Sequence, residues 1–279
     1  MIGVIGAAGV YTLSSSASVT YTSEFNISSI ENTPYGIAFN DSGSKIYVTG
    51  DLKDAVIEFD LPSPYVISGS TLITSQSVSS QSNSPIDLHF NNDGSELFVF
   101  GFANDRIYKY DLSIEYDITT MSFTTSSILL NTQESDPWCL EFSPTGDKFY
   151  LIGQSQSEIF EYDLGTNFDI TDITYSGNSF DVPSINGGVG AVCFRFNNDG
   201  TKLFVLSQTE DSIFEYSLSI AYDLSTPIYS NREFSIALEE TSPSSFLFNN
   251  DGTKLFVIGF GGDAIIEYAL SVPYTLPLV

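Results

Sequence analysis

The 279-residue chain contains only two cysteines, one histidine and one tryptophan. Cys139 and Cys193 are too few for the disulfide framework of a small secreted domain, and they lack the spacing of a metal-binding knuckle. No apolar run approaches the length that crosses a bilayer. The fold must therefore depend on a hydrophobic core, and 42% hydrophobic and 14% aromatic residues are sufficient to build one.

Positive charge is also scarce. Nine Lys and Arg residues face 35 Asp and Glu, which gives a formal net charge of −26. A surface this negative repels phosphate backbones and anionic lipid, so we expect no nucleic-acid partner and no membrane insertion. An acidic composition rich in Ser, Thr and Asn suits a salty or extracellular setting.

One ten-residue segment recurs along the chain. FNNDGTKLFV occurs at Phe196–Val205 and again at Phe248–Val257, with the near copy FNNDGSELFV at Phe90–Val99. Alignment on its glycine gives five copies, spaced by 51, 52, 54 and 52 residues: Gly43, Gly94, Gly146, Gly200 and Gly252. A period near fifty residues indicates one supersecondary unit that is repeated.

Each repeat contains four short β-rich segments separated by turn residues. In the first repeat they read PYGIAFN, KIYVTG, AVIEFDL and STLITSQSV, with DSG between the first two. Glycine accepts a positive φ, and Asn or Asp hydrogen-bonds its own backbone, so the recurring segment predicts a hairpin. No segment has a convincing helical period.

Opposite charges recur at two strand positions thirteen residues apart. Lys45 precedes Glu58, and three other repeats keep this order, whereas the second repeat exchanges the signs as Glu96 and Lys109. An exchange that preserves the pair indicates that the two side chains face each other across antiparallel strands. Charges scattered on a solvated face would not predict it.

The chain begins and ends at the same phase of its repeat. A linker of an aromatic, one residue and an aliphatic appears at Tyr11 as well as at Tyr274, and the last repeat lacks a fourth strand. The segment EFNI at Glu24–Ile27 can supply that strand, and a ring closed in this way needs no capping repeats. The sequence therefore predicts an all-β fold: a five-bladed β-propeller of four-stranded antiparallel blades, with the N-terminal strand completing the last blade.

This closure defines the predicted domains. Residues 11–279 form a single propeller domain, and residues 1–10, MIGVIGAAGV, form an N-terminal arm. The arm lacks the basic region and the clean cleavage site of a signal peptide.

The repeat pattern, FNNDGTKLFV followed by G, D, I and EYDLS, resembles the DG-type propeller repeats of surface and lactonase-like proteins. It resembles more closely the propeller repeats of marine phage structural proteins. The resemblance covers nearly the whole chain and implies a propeller. Lactonase-like propellers usually have seven blades, so a count of five argues against carrying their chemistry over.

The first strand of each propeller blade lines the central channel, so equivalent positions on these strands form rings. Five residues before each turn glycine the ring is Ala38, His89, Glu141, Arg195 and Leu247. Seven residues before it the ring is Gly36, Asp87, Cys139, Cys193 and Ser245. These positions vary while their neighbours stay fixed, and we predict binding roles for Asp87, His89, Glu141 and Arg195.

Three of these residues and the two cysteines also have a structural interpretation. Glu141 and Arg195 would form an ion pair that closes the channel, or the same groups would clamp a ligand. His89 is expected to be a hydrogen-bonded channel residue, because no Ser or Cys nucleophile is patterned around it. The two cysteines are expected to be free and buried, since side chains on neighbouring blades are often too far apart to bridge.

Aromatic residues form a second candidate group. Trp138 begins the third inner strand and Tyr35 is its counterpart in the first. Such a platform beside acidic and amide groups suits a sugar, although Trp138 would equally wedge two blades together. Phe102 and Phe260 are expected to be exposed on loop tips that contact a partner.

The same loops carry several aspartates: Asp51, Asp54, Asp105, Asp211 and Asp263. We interpret them as turn-forming residues, because no loop concentrates ligands in the manner of a dedicated calcium site. No metal and no other cofactor is predicted.

Uniform scaffold repeats, varied loop tips and an acidic surface favour a non-enzymatic binding or assembly module. We predict a virion component, associated with a phage tail or capsid, or a structural protein of the cell surface. Its location would be the virion or the outside of the cell. Its partners would be a protein in a larger assembly, a surface glycan, or both.

The alternative is a five-bladed glycosidase in which Asp87 and Glu141 flank the sugar bond. Arg195 beside Glu141 would keep that carboxylate ionised, the wrong direction for a general acid. A lactonase-like metal enzyme ranks third, because the inner rings contain too few carboxylates and amides.

Overall fold

The computed structural model describes residues 16–183 and 190–279. The predicted arm, residues 1–10, and the linker residue Tyr11 lie outside the described residues. Two short 3-10 turns, Phe102–Asn104 and Ile118–Thr120, are the helical elements of the described part. No helix in residues 16–183 or 190–279 is long and apolar enough to cross a bilayer.

Twenty strands in the described ranges form five antiparallel sheets of four. The first blade consists of β2 (Pro34–Phe39), β3 (Lys45–Gly50), β4 (Ala55–Asp60) and β5 (Thr71–Ser77). The second consists of β6 (Pro85–Phe90), β7 (Glu96–Gly101), β8 (Arg106–Leu112) and β9 (Met121–Ser126). The third consists of β10 (Pro137–Phe142), β11 (Lys148–Gly153), β12 (Glu158–Leu164) and β13 (Ile173–Asp181).

The last two blades complete the ring. The fourth consists of β14 (Ala191–Phe196), β15 (Lys202–Ser207), β16 (Ser212–Leu218) and β17 (Pro227–Ser235). The fifth consists of β18 (Pro243–Phe248), β19 (Lys254–Gly259), β20 (Ala264–Leu270) and β1 (Val19–Asn26).

The N-terminal strand closes the ring. Strand β1 pairs antiparallel with β20, from Val19 opposite Leu270 to Asn26 opposite Ala264. The inner strands β2, β6, β10, β14 and β18 contact one another in cyclic order, and β18 returns to β2. The predicted five-bladed propeller, with its last blade completed from the N-terminus, is therefore confirmed.

The turn glycine and the linker aromatic of each blade pack against each other. Gly252 has a φ of +70°, and a Cβ atom at this position would overlap the ring of Tyr274. The other four blades repeat this contact with a φ between 67° and 72° at the glycine. The turn glycine and the linker aromatic therefore recur for one reason. The turn position must lack a side chain so that the linker ring can pack against it.

The predicted charge pairs form in all five blades. Lys45 Nζ lies 2.5 Å from Glu58 Oε1, and the exchanged pair of the second blade, Lys109 and Glu96, is also in contact. The pairing is diagonal, because Lys45 lies opposite Asp60 and Glu58 lies opposite Tyr47. The prediction of pairing is confirmed, and the strand register corrects its geometry.

Candidate functional site

The central channel is open at the end where the inner strands run into the turns of the recurring segment. We call this end the mouth; it is a cavity of about 560 Å³. Its floor is formed by His89, Glu141 and Arg195, and Asn92, Asn198 and Asn250 lie on its rim. The opposite end, where the inner strands begin, is called the aromatic end below.

The second asparagine of the recurring segment fixes the rim. Asn92 Nδ2 donates to Pro144 O at 2.6 Å, and Asn198 Nδ2 donates to Asn250 O at 2.5 Å. Asn250 Nδ2 donates to Asp41 O at 3.0 Å. Each bond joins one blade to the next, so this asparagine recurs because it connects neighbouring turns. Sequence reasoning assigned it only to turn formation.

Glu141 lies on β10 with its carboxylate in the mouth. Its Oε2 accepts a hydrogen bond from the backbone N–H of Phe196 at 3.0 Å, on the neighbouring blade. Burial raises the pKa of Glu141 to about 7, although the charge of Arg195 and the Phe196 hydrogen bond act in the opposite direction. The prediction that Arg195 would keep this carboxylate ionised is wrong, because desolvation outweighs the charge of Arg195.

Arg195 forms its ion pair with Asp87 and not with Glu141. Its Nη2 lies 3.4 Å from Asp87 Oδ1, which is its ion pair within the described residues. Its Nη1 donates to Phe194 O at 2.9 Å and to Leu140 O at 3.3 Å. The predicted ion pair between Glu141 and Arg195 is therefore wrong. The guanidinium instead connects the inner strands beneath the mouth.

Asp87 is a buried structural carboxylate. Only 1% of the residue is exposed, and its two oxygens accept from the backbone N–H groups of Leu88 and Leu140, both at 3.0 Å. Burial raises its pKa, while Arg195 and these hydrogen bonds lower it. Asp87 does not line the mouth. A glycosidase that uses Asp87 and Glu141 on either side of a sugar bond is therefore excluded by this geometry.

His89 lines the mouth beside Glu141. Its Nδ1 is buried and has no hydrogen-bond partner among residues 16–183 and 190–279, and its ring packs 5.3 Å from that of Phe142. Burial and the charge of Arg195 lower the pKa of His89 to about 4. The imidazole is therefore neutral at pH 7.

The two cysteines are bonded to each other, which corrects the prediction of free thiols. Cys139 and Cys193 lie on adjacent inner strands with their Cα atoms 5.1 Å apart. This distance is normal for a disulfide and arises because the inner strands converge on the channel axis. Arg195 Nη1 lies 2.9 Å from Cys139 Sγ, so the disulfide and the guanidinium form one layer of the channel wall.

The aromatic end is filled by the second group of candidate residues. Tyr35 packs 5.5 Å from Trp138 and 4.8 Å from Phe260, and Phe102 packs 5.9 Å from Trp138. Each of the four is partly buried, so the prediction that Phe102 and Phe260 are exposed is wrong. The four rings come from four different blades and pack on one another across the channel. Their contacts with each other cover the aromatic ring faces on which a sugar would have to stack.

Buried glutamates support the loops at the aromatic end. Glu240 is 1% exposed, and its Oε1 accepts from the backbone N–H groups of Ser242 at 2.7 Å and Gly261 at 2.8 Å. Glu31 and Glu134 occupy the matching positions in the first and third blades. These glutamates, each three residues before the proline of an inner strand, could have been found as a recurring E-x-x-P pattern.

Among the described residues, no group of three or more His, Cys, Asp or Glu side chains could hold a metal ion.

Comparisons with known proteins give fold similarity only. No protein-family model and no curated protein sequence matches the chain. A solved structure from Lactobacillus plantarum aligns over 88% of this chain and 72% of its own, with 18% identity and a TM-score of 0.53. One from Bacteroides fragilis, described as a "putative 6-phosphogluconolactonase", aligns over 81% and 77%, with 13% identity and a TM-score of 0.50.

A third structure, of a functionally unknown protein from Desulfotomaculum acetoxidans, aligns over 81% of this chain with 16% identity and a TM-score of 0.48. The chain covers 62% of that protein, which is less than two thirds of its length. At these identities the similarities to the Lactobacillus plantarum and Bacteroides fragilis structures show a shared propeller fold and carry no activity with them.

The comparisons correct the predicted function. The Bacteroides fragilis neighbour is named as a putative lactonase, and neither it nor the Lactobacillus plantarum structure is described as a phage or virion protein. The prediction of a non-enzymatic virion or cell-surface module is therefore wrong, and the closer resemblance to phage repeats finds no support. The predicted protein or glycan partner and the predicted location stay predictions.

Proposed function

We propose that this protein is a hydrolase that opens a small ester or lactone in the mouth of its channel. The observation that carries the proposal is the meeting of Glu141, His89 and Arg195, from three blades, on the floor of one open cavity. A cavity of about 560 Å³ is of a size that takes a small molecule.

Glu141 is the general base of the proposed reaction. It takes a proton from a water molecule as the water oxygen bonds to the ester carbonyl carbon. The bond from that carbon to the alkoxide oxygen then breaks, and the proton passes from Glu141 to the alkoxide. A carboxyl with a pKa of about 7 is about half ionised at neutral pH, which suits a group that both accepts and returns a proton.

His89 and Arg195 stabilise the negative charge that develops on the carbonyl oxygen. The neutral imidazole of His89 can donate an N–H hydrogen bond to this oxygen without transferring its proton. Arg195 contributes positive charge beneath the mouth, in a partly buried setting where such a charge acts more strongly than in water.

The choice of lactones as first substrates has separate support. The Bacteroides fragilis neighbour is described as a putative lactonase. Because it shares only 13% identity with this chain, it suggests which compounds to try and says nothing about the residues that act on them.

Substitution of the proposed base tests the proposal. Hydrolysis of a panel of small lactones, followed by proton release with a pH indicator, is expected to fall by about 100-fold or more in Glu141→Gln, because general-base catalysis contributes about 10²–10⁴-fold. Glu115→Gln is the matched control, since Glu115 is exposed. Both variants should keep the circular dichroism spectrum of the parent. Equal rates in Glu141→Gln and the parent would rule out this role.

A further inference from the structure

The charge of the mouth restricts what can enter it. Twenty residues line this cavity, and Arg195 is the cation among them. Asp41 lies exposed on the rim, Glu141 is on the floor, and His89 is neutral at pH 7. The chain as a whole carries a net charge of −26. An anionic ligand therefore meets a negative field before it reaches the one positive group.

The guanidinium of Arg195 already has hydrogen-bond and ion-pair partners within the protein. The Arg195 side chain is 12% exposed and is paired with Asp87. Its Nη1 donates to Phe194 O and Leu140 O, and its Nη2 lies 3.3 Å from Ser245 Oγ. A phosphate group is usually held by a free arginine fork or by several cations together. Arg195 has no free fork to offer.

The rim, in contrast, suits hydroxyl groups. Asn92, Asn198 and Asn250 each commit an amide N–H to a neighbouring blade. Each side chain still has an amide oxygen and a second amide proton, because an asparagine amide has two donors and one acceptor oxygen. A hydroxyl can donate to the oxygen or accept from the proton.

The walls below the rim supply the apolar part of such a site. Ala38, Leu247 and Phe248 line the cavity together with the polar floor residues. A sugar ring has an apolar C–H face and a hydroxylated edge, so it matches an apolar wall beneath a ring of amides.

We infer that the mouth takes an uncharged, hydroxyl-rich lactone and discriminates against the phosphorylated form of the same compound. This inference rests on the proposed function and adds the class of substrate. It separates this chain from its Bacteroides fragilis structural neighbour, whose description specifies a phosphorylated substrate.

Hydrolysis of glucono-δ-lactone and of its 6-phosphate, at equal concentration and low ionic strength, tests the inference. We expect kcat/KM to be at least about tenfold higher for the uncharged lactone, because like charge suppresses encounter with the site. Equal or faster hydrolysis of the phosphorylated lactone would overturn the inference and leave the proposed function standing.

A binding measurement distinguishes failure of the proposed hydrolase function from failure of the inferred ligand class. Glucose and glucose 6-phosphate have no lactone bond, so calorimetric titration of each reports affinity without reaction. Tighter binding of glucose, with no hydrolysis of either lactone, would overturn the proposed function and uphold the ligand class. Binding of glucose 6-phosphate as tight as that of glucose, or binding of neither sugar, would overturn the ligand class.

One substitution probes the cause of the discrimination. Asp41→Lys places a cation on the rim and keeps the backbone carbonyl that accepts from Asn250. We expect it to raise kcat/KM for the phosphorylated lactone by roughly tenfold, and added salt should remove the gain. Glu24→Lys makes the same change of net charge on exposed strand β1 and should leave both rates unchanged. Equal effects of the two variants would show that the rim charge does not select the ligand.

Discussion

The two ends of the channel are built from the same repeat and differ in whether their side chains leave an opening. At the mouth, short asparagine side chains such as Asn198 and Asn250 bond sideways to the next blade, and the centre stays open. At the aromatic end, Tyr35, Trp138 and Phe260 reach across and pack on one another. The size of the residues at the two opposite ends of the inner strands therefore decides which face of the propeller can take a ligand.

This contrast assigns different roles to the two groups of candidate residues. The aromatic side chains hold four blades together at one end, and the polar side chains at the other end meet solvent. We expect a ligand to enter and leave through the mouth.

The rate of lactone hydrolysis should depend strongly on pH at the mouth. Glu141 acts as a base only when ionised, and its pKa is raised to about 7 by burial. The rate should therefore fall about tenfold for each pH unit below 7, to roughly 1% of its plateau at pH 5. A flat profile between pH 5 and 8 would exclude Glu141 as the base.

The same carboxyl should affect folding in the opposite direction. Because the pKa in the fold is above the ordinary value of 4.5, the unfolded chain loses this proton first as pH rises. The contribution of Glu141 to the free energy of unfolding is greatest below pH 4.5 and declines as pH rises to about 7. Urea unfolding of the parent and of Glu141→Gln should show this as a difference between their pH slopes.

Gly252→Ala should lower the free energy of unfolding of the protein by about 2–5 kcal/mol. The strained φ of +70° costs about 1–2 kcal/mol, and overlap of the new methyl group with Tyr274 adds about 1–3 kcal/mol. Gly177→Ala is the matched control, because Gly177 has a φ of +89° and no atom within 4 Å of the added Cβ. In urea unfolding, the control should show only the cost of the strained φ. Equal losses of unfolding free energy in the two variants would mean that the linker ring does not constrain the turn.

Trp138→Phe at the aromatic end should have the smallest effect. The smaller ring loses part of the contact with Tyr35 and Phe102, which we expect to cost about 1 kcal/mol in urea unfolding followed by circular dichroism. The kcat and KM for lactone hydrolysis should stay within about twofold of the parent. A tenfold loss of rate would mean that the reaction takes place at the aromatic end, which would contradict its proposed place in the mouth.

The sequence alone predicted the architecture because each blade repeats its own local rules. Three features carried this prediction: turn chemistry at Gly43 and its equivalents, the exchanged pair Glu96 and Lys109, and the EFNI segment that matches EFSI of the fourth repeat. Each acts over a short distance or follows from the repeat. The channel rings were also predicted correctly, because strand alternation fixes which residues point inward.

The contacts inside the rings could not be predicted in the same way. Whether Arg195 pairs with Asp87 or Glu141, and whether Cys139 reaches Cys193, depends on the channel radius and on the side-chain rotamers. The raised pKa of Glu141 depends on burial that only packing determines. The rim was missed because Asn198 is a normal turn residue, and its bond to the next blade follows from ring closure.

A crystal structure of Glu141→Gln with glucono-δ-lactone bound tests the central claim most directly. The account predicts the lactone in the mouth, with its carbonyl group beside residue 141 and His89 and its hydroxyls on the asparagine rim. A lactone bound instead against Trp138 and Tyr35, with an empty mouth, would contradict it.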